Sequence, residues 1–174
     1  MAEALTLYSN PMSRGRIARW MLEEVGQPYR VVYLGYGAPM QTPEYRALNP
    51  MSKVPTLVHD TPAGQVVVTE CAAVCAWLAD AFPAAGLAPA PDRRGRYYRS
   101  FFFGAGPLEA AVTNKSLGVE VPEDSKGFVG YGDFARVLDT LEGFLKGGDW
   151  LSGDRFGAAD VYVRTGTTWT FVQR

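Results

Sequence analysis

The hydrophobic pattern changes period twice within the first 34 residues, and few folds accommodate that. Leu5–Tyr8 is a short apolar, β-prone run, ended by Asn10-Pro11. From Arg16 to Val25 the apolar residues Ile17, Trp20, Met21 and Val25 recur at helical spacing, with Glu23 and Glu24 on another side. Gly26 follows, a residue suited to closing a helix. Tyr29–Leu34 then reads as a second strand. Strand, helix and strand in this order predict a parallel pair joined by a right-handed crossover.

A Gly- and Pro-rich loop, 35–43, leads to a short helical piece, Pro43–Leu48. Val54–His59 and Gln65–Val68 read as strands around the hairpin loop Thr61-Pro62-Ala63-Gly64. A helix follows, with Thr69 as N-cap and Glu70 in its first turn, where a negative charge suits the dipole. Its apolar face is Ala73, Val74, Trp77, Leu78 and Ala81, and it ends near Phe82-Pro83. Residues 84–91 (AAGLAPAP) have the composition of a linker. Everything beyond reads as helical. Tyr97, Tyr98, Phe101, Phe102 and Phe103 cluster within 93–112; 119–132 is loop-like; Asp133–Lys146 is strongly amphipathic; a further helix starts at Ala158.

Composition narrows the function. The 174 residues are 47% hydrophobic and 20% charged, a balance typical of globular domains. A net charge of -1 supplies no field for a phosphate backbone, so nucleic acid is not expected as a partner. The arginines at 14, 16 and 19, and at 93, 94 and 96, read as solvated helix faces. Cys71 and Cys75 stand four apart, a spacing poorly suited to a disulfide, and Cys75 reads as core. The single histidine, His59, has no partners at metal-ligand spacing and is expected to be exposed at a strand end. No apolar run is long enough to span a bilayer, and the N-terminus lacks the pattern of a secretory signal, so the expected location is the cytoplasm.

Three local motifs carry chemistry: LYSNPMSRGRIARWMLEEVG at 7–26, NPMSKVPTLV at 49–58 and Thr69-Glu70-Cys71. A fourth, DRFGAADVYV at 154–163, resembles a helix start with Gly157 at the cap and Asp160 three residues on. Together they resemble the glutathione transferases. The resemblance implies a thioredoxin-like domain over 1–83, with a mixed four-stranded sheet in the order βαβαββα. It also implies a linker at 84–91 and an all-α domain over 92–174, which reads as truncated because the family's helical domain usually continues further.

What the resemblance implies for the site can be stated residue by residue. The bond before Pro55 is cis, and the Val54 backbone pairs with the cysteinyl unit of glutathione like an added strand. Glu70 and the helix start bind the γ-glutamyl end, with Cys71 standing where the family usually has a hydroxyl. Lys53 faces the glycyl carboxylate. The catalytic group lies between the first strand and helix: Ser13, Tyr8 and Ser9 are the candidates, with Arg14 able to act by charge. A hydroxyl donor and a helix N-terminus both favour the thiolate, which is the nucleophile. The implied activity is conjugation of glutathione, as co-substrate, to a hydrophobic electrophile by a homodimer, with no metal and no other cofactor. Two alternatives share the site: a non-catalytic regulatory or ligand-binding protein, and a glutathione-dependent isomerase or dehalogenase.

Overall fold

The computed structural model describes residues 4–172, with side chains through residue 165. The reading of the extreme N-terminus as lacking a leader begins on residues 1–3, outside the described ones. The chain divides into two compact units between Leu87 and Ala88.

The first unit contains β1 (Ala4–Ser9), α1 (Gly15–Val25), β2 (Tyr29–Tyr33), α2 (Pro43–Leu48), β3 (Thr56–Thr61), β4 (Gly64–Thr69) and α3 (Cys71–Ala81). The sheet order is β2-β1-β3-β4. β1 and β2 are parallel, as the crossover requires, and the β1–β3 and β3–β4 pairs are antiparallel. This is the thioredoxin-like βαβαββα arrangement. A 3-10 turn at Ala38–Met40, which periodicity does not announce, buries Met40 in the loop before α2.

The core of this unit lies between the sheet and two helices. Leu7 and Leu57 on the sheet, Ile17, Met21 and Leu22 on α1, and Val74 and Leu78 on α3 are all buried. Each such side chain contributes about 1.5–3 kcal/mol by leaving water. Gly26 ends α1 at φ 72°, a left-handed conformation, and its N–H reaches the Leu22 carbonyl at 3.1 Å.

Four sequence expectations change here. β3 starts at Thr56, so Val54 lies ahead of the sheet. Thr69 is the last residue of β4 and Glu70, not Thr69, holds the N-cap position of α3. The buried face of α3 is Cys71, Val74, Cys75, Leu78 and Ala79; Ala73 and Ala81 point to solvent. Every position of this helix before Asp80 except Trp77 is small or aliphatic, so periodicity marks its face weakly. His59 is also corrected. It is buried within β3, its ring packed at 5.3 Å against Trp77 and 5.6 Å against Phe82, because the strand runs on to Thr61.

The second unit is all helical: α4 (Gly95–Phe103), α5 (Glu109–Ser116), α6 (Phe134–Lys146) and α7 (Ala158–Val172). A π turn at Gly104–Leu108 joins α4 to α5 and absorbs Pro107, which has no N–H to give the ladder. Gly104 permits close approach to α7, since a Cβ there would lie 2.9 Å from a Val163 methyl. Asp133 caps α6 by accepting the Arg136 N–H at 2.8 Å. At its other end, the Arg96 guanidinium donates to the carbonyls of Gly147 at 2.9 Å and Phe144 at 3.1 Å. Of the aromatic cluster, Tyr97 and Phe101 are buried while Phe102 and Tyr98 are exposed. Among the described residues no helix is long and apolar enough to cross a membrane.

Candidate functional site

Strand register gathers the motif residues at one end of the sheet. Tyr8 pairs with Thr56, and Thr56 with Thr69. The segments that leave or enter this row are therefore neighbours: the loop after Ser9, the residues before Thr56, and those after Thr69. A hydrogen bond closes the group, the Cys71 thiol donating to the Arg14 carbonyl at 3.4 Å. The first turns of α1 and α3 are thus held side by side.

The β1–α1 loop is organised by its own polar groups. The Ser13 hydroxyl donates to the Asn10 carbonyl at 2.7 Å and accepts the Gly15 N–H at 3.0 Å. It is half-buried and fixed at the start of α1. Ser9 is buried, with its hydroxyl against Gly15, where a Cβ would come within 2.1 Å of it. Gly15 is required by that approach. Tyr8 goes elsewhere. Side chains alternate along a strand, so with Leu7 and Ser9 in the core, Tyr8 points to the opposite face and packs on Tyr45, ring centroids 5.4 Å apart.

The second segment is held from beneath by residues to which the motif assigns no role. The Val54–Pro55 bond is cis. Ahead of it, the Lys53 carbonyl accepts from Tyr45 Oη at 2.5 Å and from Asn49 Nδ2 at 2.9 Å. Tyr45 has one O–H, so at its 2.9 Å contact with Thr56 the threonine is the donor, and Thr56 Oγ1 accepts from Asn49 at 3.1 Å. Tyr45, Asn49 and Thr56 are all buried, and burial pushes the Tyr45 phenol up, keeping it a donor at neutral pH. Their signal in the sequence is only that three polar side chains flank the Val-Pro step. Val54 itself is half-buried, and among the described residues its N–H and C=O have no protein partner. Lys53 is exposed. Replacing Tyr45 by Phe removes two bonds, one donor to the Lys53 carbonyl and the acceptor of the Thr56 hydroxyl, so a loss of about 1–3 kcal/mol is expected in urea unfolding.

The third segment carries Glu70, exposed, with φ 65° and ψ 118°. A side chain rarely adopts such a conformation. Among the described residues its carboxylate has no hydrogen bond or ion pair. Cys71 behind it is buried, and both cysteines are free. A hydrogen bond with Cys71, together with burial, raises the Cys75 thiol well above the usual range, so it stays protonated. No group of histidine, cysteine, aspartate and glutamate among the described residues is arranged to hold a metal ion.

Ser13, Val54, Glu70 and Cys71 therefore stand around one end of the sheet, with Tyr8 turned away and Ser9 sealed in the core. The family model for the glutathione S-transferase N-terminal domain matches residues 12–81, the span that contains Ser13, Val54 and Glu70. Over 170 residues the chain is 30% identical to glutathione S-transferase 3 of Zea mays, covering 90% of this chain and 74% of the maize protein. The chain belongs to the glutathione S-transferase family. Solved structures of the family agree with the fold. A glutathione transferase from Methylococcus capsulatus superposes with a TM-score of 0.75 at 28% identity, covering 97% of this chain and 83% of its own. A sphingomonad glutathione S-transferase complexed with glutathione gives a TM-score of 0.69 at 26% identity, covering 94% and 81%. Within this family fold the chain keeps a thiol, Cys71, at the start of α3.

Proposed function

We propose that this chain binds glutathione at the sheet end and transfers its sulfur to an electrophilic small molecule. The observation that carries the reading is the unpaired Val54 N–H and C=O at the same end of the sheet as the loop after Ser9 and the start of α3. A peptide laid along Val54 satisfies both groups as an added strand would. Glu70 then meets the γ-glutamyl ammonium, while N–H groups at the start of α3 suit its carboxylate. Lys53 is available to the glycyl carboxylate. The complex of the sphingomonad relative with glutathione supports this choice of ligand.

Ser13 is the group assigned to the thiol. Its single O–H is spent on the Asn10 carbonyl, but that carbonyl also accepts the Ser13 N–H at 3.0 Å. The hydroxyl can therefore turn toward a thiolate without stranding its former acceptor. A charged acceptor makes the stronger bond. The thiol loses its proton to solvent, and the thiolate attacks an activated carbon and displaces a halide. The step consumes only the two substrates.

The same spent hydroxyl favours a second reading, a glutathione-binding protein without turnover. Titration calorimetry with glutathione and a conjugation assay with an aryl halide separate the two, since binding without product supports the non-enzyme. For the enzyme, Ser13→Ala should raise the bound thiol's pKa by about one unit, roughly tenfold less thiolate at neutral pH. Tyr8→Phe should leave it unchanged. Equal activity in wild type and Ser13→Ala removes Ser13 from the mechanism.

A further inference from the structure

We propose that Asn10 is a positioning residue that sets the Ser13 hydroxyl for its work on the thiol; the inference rests on the reading of this site given above. In the sequence Asn10 does no more than end a strand. In the fold nearly every polar atom it has is engaged. Its Oδ1 accepts the Met12 N–H at 2.8 Å, forming an Asx turn, and its Nδ2 donates to the Leu34 carbonyl at 2.8 Å. Its own carbonyl accepts both the Ser13 N–H at 3.0 Å and the Ser13 O–H at 2.7 Å. One side chain thus ties the loop to the exit of β2 and turns its own carbonyl beneath Ser13.

Two further bonds complete the frame. The Leu34 N–H returns to the Ser9 carbonyl at 2.9 Å, and Tyr36 Oη donates to the Met12 carbonyl at 3.0 Å. Neither touches the Asn10 amide, so the loop remains attached without it. What is lost without it is the turn that holds Ser13 Oγ in place at the start of α1, from which its O–H swings from the Asn10 carbonyl to the thiolate. Asparagine suits the position because it offers an acceptor to the turn and a donor to β2 together. Aspartate has no donor, and serine lacks the reach to Leu34. Asn10 needs no contact with substrate, and its effect passes through Ser13 alone.

The test is a double-mutant cycle on the full chain: Asn10→Ala, Ser13→Ala and both together. It is read as glutathione affinity and as the pKa of the bound thiol, followed by thiolate absorbance. Asn10→Ala should raise that pKa by about half to one unit, three- to tenfold less thiolate at fixed pH, with affinity changed less than about twofold. The double variant should match Ser13→Ala, because two residues acting through one bond do not add. Asn10→Ser keeps the turn acceptor and loses only the bridge to Leu34. It takes the place of the alanine variant should that one not fold, with the same expected direction. A wild-type pKa in the Asn10 variant, or a full additional effect on top of Ser13→Ala, overturns the inference and leaves the reading of the site intact. A wild-type protein that binds no glutathione, or binds it only as thiol, overturns the reading itself and this inference with it.

Discussion

Asp160→Ala is expected to lower the stability of the helical unit by about 3–5 kcal/mol, close to the whole stability of a small domain. Asp160 is fully buried in the first turn of α7. Its carboxylate accepts three backbone N–H groups, from Leu151 at 2.7 Å, Ser152 at 3.1 Å and Gly157 at 3.2 Å. The last is the reciprocal half of a capping box, and the negative charge also suits the helix N-terminus. Alanine leaves these donors without a partner, each at about 1–3 kcal/mol where water cannot enter. The ion pair with Arg164 at 3.6 Å is a smaller matter, since that side chain is 44% exposed. Asp160→Asn keeps one acceptor oxygen and should fall between the two. Urea unfolding followed by circular dichroism measures the loss. Hydrogen exchange at the Leu151 and Ser152 amides locates it. An alanine variant within about 1 kcal/mol of wild type would sink the argument.

The parts of the fold set by local chemistry could be read directly. Gly26 closes α1 because a left-handed C-terminal residue favours glycine, and the Val54-Pro55 step marks a break ahead of a strand. Asp160 was legible for the same reason, as an acid three residues after a cap. The face of Tyr8 was also legible, since Leu5, Leu7 and Ser9 share one side of a strand and leave Tyr8 on the other. What was not legible depends on residues far apart in the chain. His59 is buried because Trp77 and Phe82, from and just after α3, close over it. Tyr45, Asn49 and Thr56 become a cluster only when α2 folds beneath the Val-Pro step. Nothing in the identity of Glu70 announces a positive φ, so the sequence pattern puts the helix start one residue early, at Thr69.

That backbone conformation makes Glu70 the residue whose replacement should separate stability from binding most cleanly. A non-glycine residue at φ 65° carries strain of about 1–3 kcal/mol. Nothing within the described residues repays it, because the carboxylate is exposed and makes no ion pair. Strain without an internal partner points to a ligand, and the proposed γ-glutamyl ammonium supplies one. Glu70→Gly should therefore hold or raise the unfolding free energy, by up to about 1 kcal/mol. Glycine relieves the strain, although it loses more chain entropy on folding. The same change should weaken glutathione about 10- to 100-fold, the scale of one charge-assisted hydrogen bond lost. Glu70→Gln should match that loss of affinity without the gain in stability, because it removes the charge and keeps the Cβ. Calorimetric titration and thermal unfolding on both variants give the four numbers needed. If glutathione binds both variants as tightly as wild type, Glu70 is not the ammonium partner. If Glu70→Gly is instead the less stable protein, the positive φ is not a site of strain, and the reason for assigning it a ligand goes with it.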